Sequence, residues 1–141
     1  MRPSGERSGC TEQKELEELL LKLAQREYRK CCEIEELTAE MAEVLDRDDQ
    51  VSLGMILKMR GEAMSEIGKI RRDREILLKA SGSGRERFEE LERGGELPSM
   101  TKAEERILSL VKNRREALSR AQQYDKRVSA RLAGDKSFYS R

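Results

Sequence analysis

The residue types that could carry out chemistry in this 141-residue chain are few, because it contains no histidine. Without imidazole, neither a His-containing zinc site nor a Ser-His-Asp triad can be built. The three cysteines, Cys10, Cys31 and Cys32, include no CxxC pair, and adjacent cysteines suit neither zinc spacing nor a disulfide. We interpret Cys31 and Cys32 as small apolar residues on a helix, and unpaired thiols favour a reducing cytoplasm.

Acidic residues are numerous, but their spacing does not form a catalytic pair. Glu35-Glu36 and Glu89-Glu90 are adjacent in sequence, so on a helix their side chains point apart. The chain also contains no Gly-rich phosphate loop, nucleophile elbow or metal-ligand spacing. The sequence therefore predicts no catalytic residue, no metal and no cofactor, and an enzyme is not expected.

Basic residues concentrate near the end of the chain, which raises the question of nucleic-acid binding. Acids are interleaved with them, the net charge is only +1, and five aromatic residues offer no platform for stacking bases. The basic residues concerned are Lys112, Arg114, Arg115, Arg120, Lys126, Arg127 and Arg131. No nucleic-acid partner is predicted, and a nucleic-acid accessory protein is kept as the least favoured alternative.

Helix start signals recur along the chain. Thr11 is a suitable N-cap, and no Gly or Pro interrupts residues 11–47. Asp48 or Asp49 can cap a second helix after the turn signal at 46–49. Two later pairs have capping-box spacing. They are Ser83 with Glu86 and Thr101 with Glu104.

The helix ends are marked by glycine, at Gly94-Gly95 and at Gly134. The sequence therefore predicts a flexible N-terminal arm over 1–10, a single helical domain over 11–133 and a tail over 134–141. The long helices are expected at about 11–46, 49–79 and 102–133, and a short helix at about 84–93.

Apolar residues recur in steps of three, four or seven, which is the period of an amphipathic helix. The first stripe includes Leu16, Leu20, Leu23, Ala24, Tyr28, Cys31, Ile34, Leu37, Met41, Val44 and Leu45. The second includes Ile56, Met59, Ala63, Ile67, Ile70 and Leu77, and the last Ile107, Leu110, Val111, Leu118, Ala121, Val128 and Leu132. Arg114 and Asp125 interrupt the last stripe, as register-setting polar residues do.

Long helices gain most of their stability from packing an apolar face, and the turn at 46–49 forces the first two into an antiparallel hairpin. The predicted fold class is all-α: an elongated antiparallel bundle of three long helices plus one short helix, with coiled-coil-like packing. No apolar run approaches the roughly 20 residues that span a bilayer, so no membrane span is predicted. No apolar run follows Met1–Glu6, so no signal peptide is expected.

The net charge conceals a separation of charge along the chain. Residues 11–49 hold 13 acids and 6 bases, whereas residues 101–141 hold 5 acids and 11 bases. Within one bundle an acidic first helix and a basic last helix attract each other. That attraction favours the correct helix pairing more than it adds stability.

Three glycines spaced by seven, Gly54, Gly61 and Gly68, lie inside the second predicted helix. Each costs roughly 0.8–1 kcal/mol relative to Ala in an exposed helix interior. They share a second apolar line with Leu53, Leu57 and Met64. One interpretation is that this face packs on another helix of the bundle or near Phe88 and Leu91. The other is a groove for a partner helix.

The chain as a whole resembles the flagellar export chaperones of the FlgN/FliT type. The resemblance rests on the acidic first helix ending in Leu45-Asp46-Arg47-Asp48-Asp49 and on the second helix, Leu53…Arg60…Ile67…Ile70-Arg71-Arg72…Leu77-Leu78. The last helix and tail add Tyr124-Asp125-Lys126-Arg127 and Lys136…Phe138-Tyr139. Together they cover most of residues 11–141.

The resemblance implies a cytoplasmic, all-helical chaperone that holds an export substrate before type III secretion. It implies hook–filament junction or filament-cap subunits as clients, bound through helical termini, and delivery to the export apparatus. The candidate partner-binding residues are Leu53, Leu57, Gly61, Met64, Gly68, Tyr124, Val128, Leu132, Phe138 and Tyr139. The main alternative is a structural coiled-coil protein that forms a homodimer or larger assembly.

Overall fold

Four helices make up the fold. The computed structural model describes the backbone of residues 4–82 and 84–139 and the side chains of residues 12–82 and 84–134. The helices are α1 (Ser4–Asp46), α2 (Gln50–Ser81), α3 (Gly84–Glu92) and α4 (Lys102–Tyr139). These described residues contain no strand, so the predicted all-helical class is confirmed, and the helix packing is compatible with a bundle.

Two helix bounds differ from the predicted ones. α1 begins at Ser4, inside the predicted arm over 1–10, and α4 continues to Tyr139, inside the predicted tail over 134–141. No proline lies between Ser4 and Thr11 to block the helix. Gly134 does not end α4. It lacks the positive φ that is typical of a helix-ending glycine, since among the described residues only Asp48, Gly82 and Gly94 have one.

The turn between α1 and α2 follows a Schellman pattern, with Asp48 in the left-handed conformation at φ 55°. The Asp48 amide donates to the Leu45 carbonyl at 3.2 Å, and the Asp49 amide to the Val44 carbonyl at 3.0 Å. Asp49 then caps α2, accepting the Ser52 amide at 3.0 Å. The hydrogen bond from the Ser52 hydroxyl is the main reason that the pKa of Asp49 is lowered. The two aspartates therefore end one helix and start the next within three residues.

The boundary between α3 and α4 is built in the same way. Gly94, at φ 82°, ends α3, and its amide donates to the Leu91 carbonyl at 2.9 Å. The capping box at the start of α4 is confirmed, since the Thr101 and Glu104 side chains each accept the other's backbone amide at 3.1 Å. Ser83, predicted to cap α3, lies outside the described residues.

The chain divides into two compact units, and α1, α2 and α4 each contribute a part to both. Unit 1 contains α1 up to Tyr28, α2 from Gly68, α3, and α4 up to Asn113. Its core joins side chains of all four helices, so α3 completes an apolar interior that three helices would leave open. The core residues are Leu20, Ala24, Leu78, Phe88, Leu91, Ile107, Leu108 and Val111.

Unit 2 contains α1 from Arg29, α2 up to Ile67, and α4 from Arg114. One core cluster lies near the α1–α2 turn and contains Leu37, Met41, Val44, Leu45, Ile56 and Val128. The other contains Cys31, Ile34, Ala63, Ile67 and Ala121. The prediction of a single domain over 11–133 stays a prediction.

Most positions of the predicted apolar stripes are buried, which confirms the helical spacing in all three long helices. Met59 and Leu132 are exceptions, because they are 45% and 42% exposed. Met59 lies at the edge of the buried face of α2, whereas Leu132 shares the buried face of α4 but follows Val128, the last α4 residue in a core cluster, by one turn. Among the described helices, none contains the extended apolar stretch that a bilayer crossing requires.

Candidate partner-binding surfaces

The glycine-containing side of α2 in unit 2 carries exposed apolar side chains. Leu53 is half-buried and packs against the core cluster that includes Val128. One and three turns further on, Leu57 and Met64 are 49% and 46% exposed. We call Leu57, Gly61 and Met64 the glycine face.

The glycines of this helix have open space around them. A Cβ built on Gly54 or Gly61 has no heavy atom within 4 Å, beyond the helix's own nearby backbone. The interpretation that this face packs inside the bundle is therefore wrong for these two glycines, and Phe88 and Leu91 lie in the core of unit 1. Gly68 also belongs to unit 1, where its Cβ position would lie 3.6 Å from Arg72 Nη1.

The predicted binding residues of α4 fall in different environments. Tyr124 is half-buried, with the Arg127 guanidinium 5.6 Å from its ring centroid, and Leu132 is exposed. Val128 is buried in the core, because it packs with Ile56 and Leu45, so it does not contribute to a surface. The side chains of Phe138 and Tyr139 lie outside the described residues.

Asp125 and Arg114 are the two polar residues predicted to interrupt the α4 stripe. Asp125 makes a tertiary contact, and Arg114 is buried. Asp125 is half-buried and accepts a hydrogen bond at 2.8 Å from Arg60 Nη2 on α2. Arg60 Nη1 also lies 3.6 Å from the Met41 sulfur on α1, so one guanidinium joins three helices. Arg114 is buried, at 9% exposure.

Ion pairs connect the acidic α1 with the basic α4 in unit 2, as the charge separation predicts. Arg120 binds both Glu35 carboxylate oxygens, at 2.7 and 3.1 Å, and Arg131 Nη1 lies 3.0 Å from Asp46 Oδ1. The hydrogen bonds that Arg120 donates to Glu35 raise the pKa of the Arg120 guanidinium. Both pairs are largely exposed, so they favour the correct helix pairing more than they add stability.

Unit 1 contains two buried carboxylates whose arginine partners the sequence analysis did not predict. Glu27 is fully buried and accepts from Arg74 Nη1 at 2.5 Å and from Arg71 Nε at 3.2 Å. Glu104 receives two bonds of 2.8 Å from Arg87, and these bonds hold its pKa below the usual value. A capping-box position pointed to Glu104, whereas no local signal connects Glu27 with arginines more than 40 residues away.

A second exposed apolar surface lies on the other side of α2 in unit 2, and the sequence analysis missed it. Val51 and Met55 are 77% and 62% exposed, and Met59 follows one turn later. Met55 and Met59 line a groove of about 380 Å³ between α1 and α2. Its other lining residues are Glu40, Glu43, Val44, Arg47, Ser52 and Ile56. We call this the methionine groove.

Unit 1 has a smaller apolar groove between α1 and α2, with a volume of about 350 Å³. Leu19 and Ile76 are its exposed apolar side chains, and Lys22, Arg26 and Asp73 add charges of both signs. This mixed charge gives the groove no clear preference for an acidic or a basic partner.

The chemistry available in the described part is limited. Cys31 is buried and Cys32 half-buried, and neither forms a disulfide with a residue whose side chain is described. No group of three or more acidic or cysteine side chains among the residues with described side chains could hold a metal ion. The noteworthy features of the surface are thus its exposed apolar side chains.

Comparisons with protein-family models, with curated proteins and with solved structures find no match for this chain.

Proposed function

We propose that this chain is a non-enzymatic chaperone or adaptor of flagellar type III export that binds an amphipathic helix of a secretion substrate in the cytoplasm. The observation that carries the proposal is the glycine face, where Leu57 and Met64 are half exposed beside the open space at Gly61. A glycine without neighbours costs helix stability and allows a second backbone to approach closely. A partner helix on this face would bury the exposed side chains of Leu57 and Met64 and could approach closely at Gly61.

Leu132 and Tyr124 of α4 belong to the proposed surface, because their side chains are not fully buried. Val128 does not belong to it. The flagellar assignment rests on the resemblance of the sequence, and the clients it implies are hook–filament junction or filament-cap subunits. The elongated bundle of three long helices plus one short helix, with coiled-coil-like packing, is the scaffold proposed to hold this surface.

The test is the binding of purified hook–filament junction and filament-cap subunits from the organism that encodes the chain. The informative variant is L57Q/M64Q, because both side chains are exposed, whereas Leu53 packs against the core. We expect the wild type to bind one subunit and L57Q/M64Q to bind it at least about tenfold more weakly, with an unchanged circular dichroism spectrum.

The same exposed face favours the alternative of a structural homo-oligomer. Sedimentation velocity over a wide concentration range separates the two functions. A monomer that binds an axial subunit supports the chaperone. A stable dimer that L57Q/M64Q dissociates, with no binding to any axial subunit, would support the structural protein instead.

A further inference from the structure

The methionine groove lies on a different side of α2 from the glycine face, and the proposed function does not use it. Val51, Met55 and Met59 follow each other at steps of four residues, so they form one line along the helix. All three are exposed, while Val44 and Ile56 form a buried apolar floor. Methionine adapts its shape to different apolar partners, which suits a binding surface.

The α1 side of the groove is acidic. Glu36, Glu40 and Glu43 recur at i, i+4 and i+7, so they share one face of α1. All three are exposed, and none forms an ion pair or a side-chain hydrogen bond with any residue whose side chain is described.

Two acids on another side of α1 are different. Glu35 and Asp46 face α4 and are neutralised there by Arg120 and Arg131. Within unit 2, α1 therefore keeps its unneutralised acids on the side of the exposed methionines. Arg47 and Lys58 are the bases nearby on α1 and α2, and Glu62 adds a further acid on α2.

We propose that the methionine groove binds an amphipathic helix whose apolar side is bordered by lysine or arginine. The apolar residues of such a helix would cover Met55 and Met59. Its basic edge would meet Glu36, Glu40 and Glu43. The line from Val51 to Met59 is about 12 Å long at 1.5 Å per residue, which matches about two turns of a bound helix.

The experiment uses the full chain and two labelled synthetic peptides of about 20 residues, long enough to become helical on a surface. Both peptides carry the same leucine stripe, bordered by lysine in one and by glutamate in the other. Fluorescence anisotropy at about 150 mM salt gives the two dissociation constants, because this salt concentration screens long-range attraction. We expect the lysine-bordered peptide to bind at least about tenfold more tightly.

Two variants test the groove itself. M55Q/M59Q removes the apolar surface, and we expect at least about a tenfold loss of affinity. E40K/E43K reverses the charge of the rim and should reverse the preference between the two peptides. All four side chains are exposed, so both variants should keep the wild-type helicity.

Two matched controls make the same kind of change elsewhere. L57Q/M64Q alters the glycine face and I76Q alters the groove of unit 1, and neither should change the affinity for the lysine-bordered peptide. Failure of the flagellar proposal leaves these results unaffected, because no axial subunit is used.

Several results would overturn the proposal. They are equal affinities for the two peptides, no binding at about 100 μM peptide, or wild-type affinity in M55Q/M59Q. A self-association that M55Q/M59Q abolishes would show that a second copy of the chain, rather than a basic helix, occupies the groove.

Discussion

Charged residues in the interior of unit 1 are fixed by arginines from other helices. Glu27 on α1 meets Arg71 and Arg74 of α2, and the Arg74 guanidinium also lies 5.3 Å from the centroid of the Phe88 ring. A buried pair contributes little net stability, but the loss of one partner leaves a buried charge without compensation. Such a contact therefore acts chiefly by penalising a wrong helix register.

Replacement of Glu27 should reveal this penalty. We expect E27Q to lower the free energy of unfolding by about 3 kcal/mol, because Arg74 stays nearly buried without a carboxylate partner. Urea denaturation measures the change. The control is E33Q, since Glu33 pairs with Lys30 in an exposed i,i+3 contact and its loss should change little. Equal stabilities of E27Q and E33Q would contradict the prediction.

Glu104 predicts part of the pH dependence of stability. Its pKa is lowered from 4.5 in the folded protein, chiefly by the hydrogen bonds from Arg87. A lowered folded-state pKa adds stability above the unfolded value, and that stability is lost as the pH falls through the folded value. E104Q should therefore be less stable than the wild type at neutral pH, by about 1–2 kcal/mol.

The difference between wild type and E104Q should shrink as the pH falls from 4.5 toward the lowered folded-state pKa. Thermal unfolding at several pH values measures this difference. E105Q is the matched control, because Glu105 is the exposed neighbour on the same helix turn. A difference that stays constant with pH would show that charge at Glu104 is not the cause.

The helix boundaries are the features that the sequence predicts best. Local signals predicted the turn after Asp46, the Gly94 helix end and the Thr101–Glu104 capping box, because each depends on residues within one helix turn. Gly134 was misread, since glycine permits a left-handed conformation without requiring it. The helix there continues instead.

The candidate surfaces were less predictable than the helices. Leu57 and Met64 were recognised because they lie off the main stripe of α2. Met55 was missed and Met59 was assigned to the core. Whether an apolar side chain at the edge of a stripe is covered depends on how close the neighbouring helix lies, which the period of one helix does not encode.

The glycines of α2 give a prediction for the helix itself. G54A and G61A should each raise the free energy of unfolding by about 0.8–1 kcal/mol, because the added methyl group meets no neighbour and alanine favours the helix. G94A is the opposite control and should destabilise the protein, since Gly94 has a positive φ. Denaturant midpoints give the comparison. A loss of stability in G61A would indicate that another chain packs on this glycine in solution.

At the scale of the whole molecule, the net charge is nearly balanced because the acidic α1 offsets the basic α4. In unit 2 the acidic side of α1 that faces α4 is neutralised, whereas the side next to the methionine groove is not. Residue counts predicted the attraction between the two helices. They did not predict which acids stay without partners, because that depends on the rotation of α1 about its axis.

A charge exchange tests the attraction between α1 and α4. E35K should lower the denaturation midpoint, because it places two cations together, and R120E should do so by placing two acids together. The double variant E35K/R120E restores opposite charges and should recover most of the loss. The effects should weaken in high salt, since the pair is exposed. Additive losses in the double variant would show that the two residues do not interact.

Because Cys31 is fully buried, chemical modification of its thiol can measure how often the surrounding structure opens. A thiol with no solvent exposure reacts with a disulfide reagent only while its surroundings are transiently separated, so the modification rate reports how often α1 leaves Ala63, Ile67 and Ala121. In a C10S/C32S background Cys31 carries the single thiol of the molecule. Slow modification that follows global unfolding would place this cluster among the last parts of the protein to open, and faster modification would reveal local release of α1.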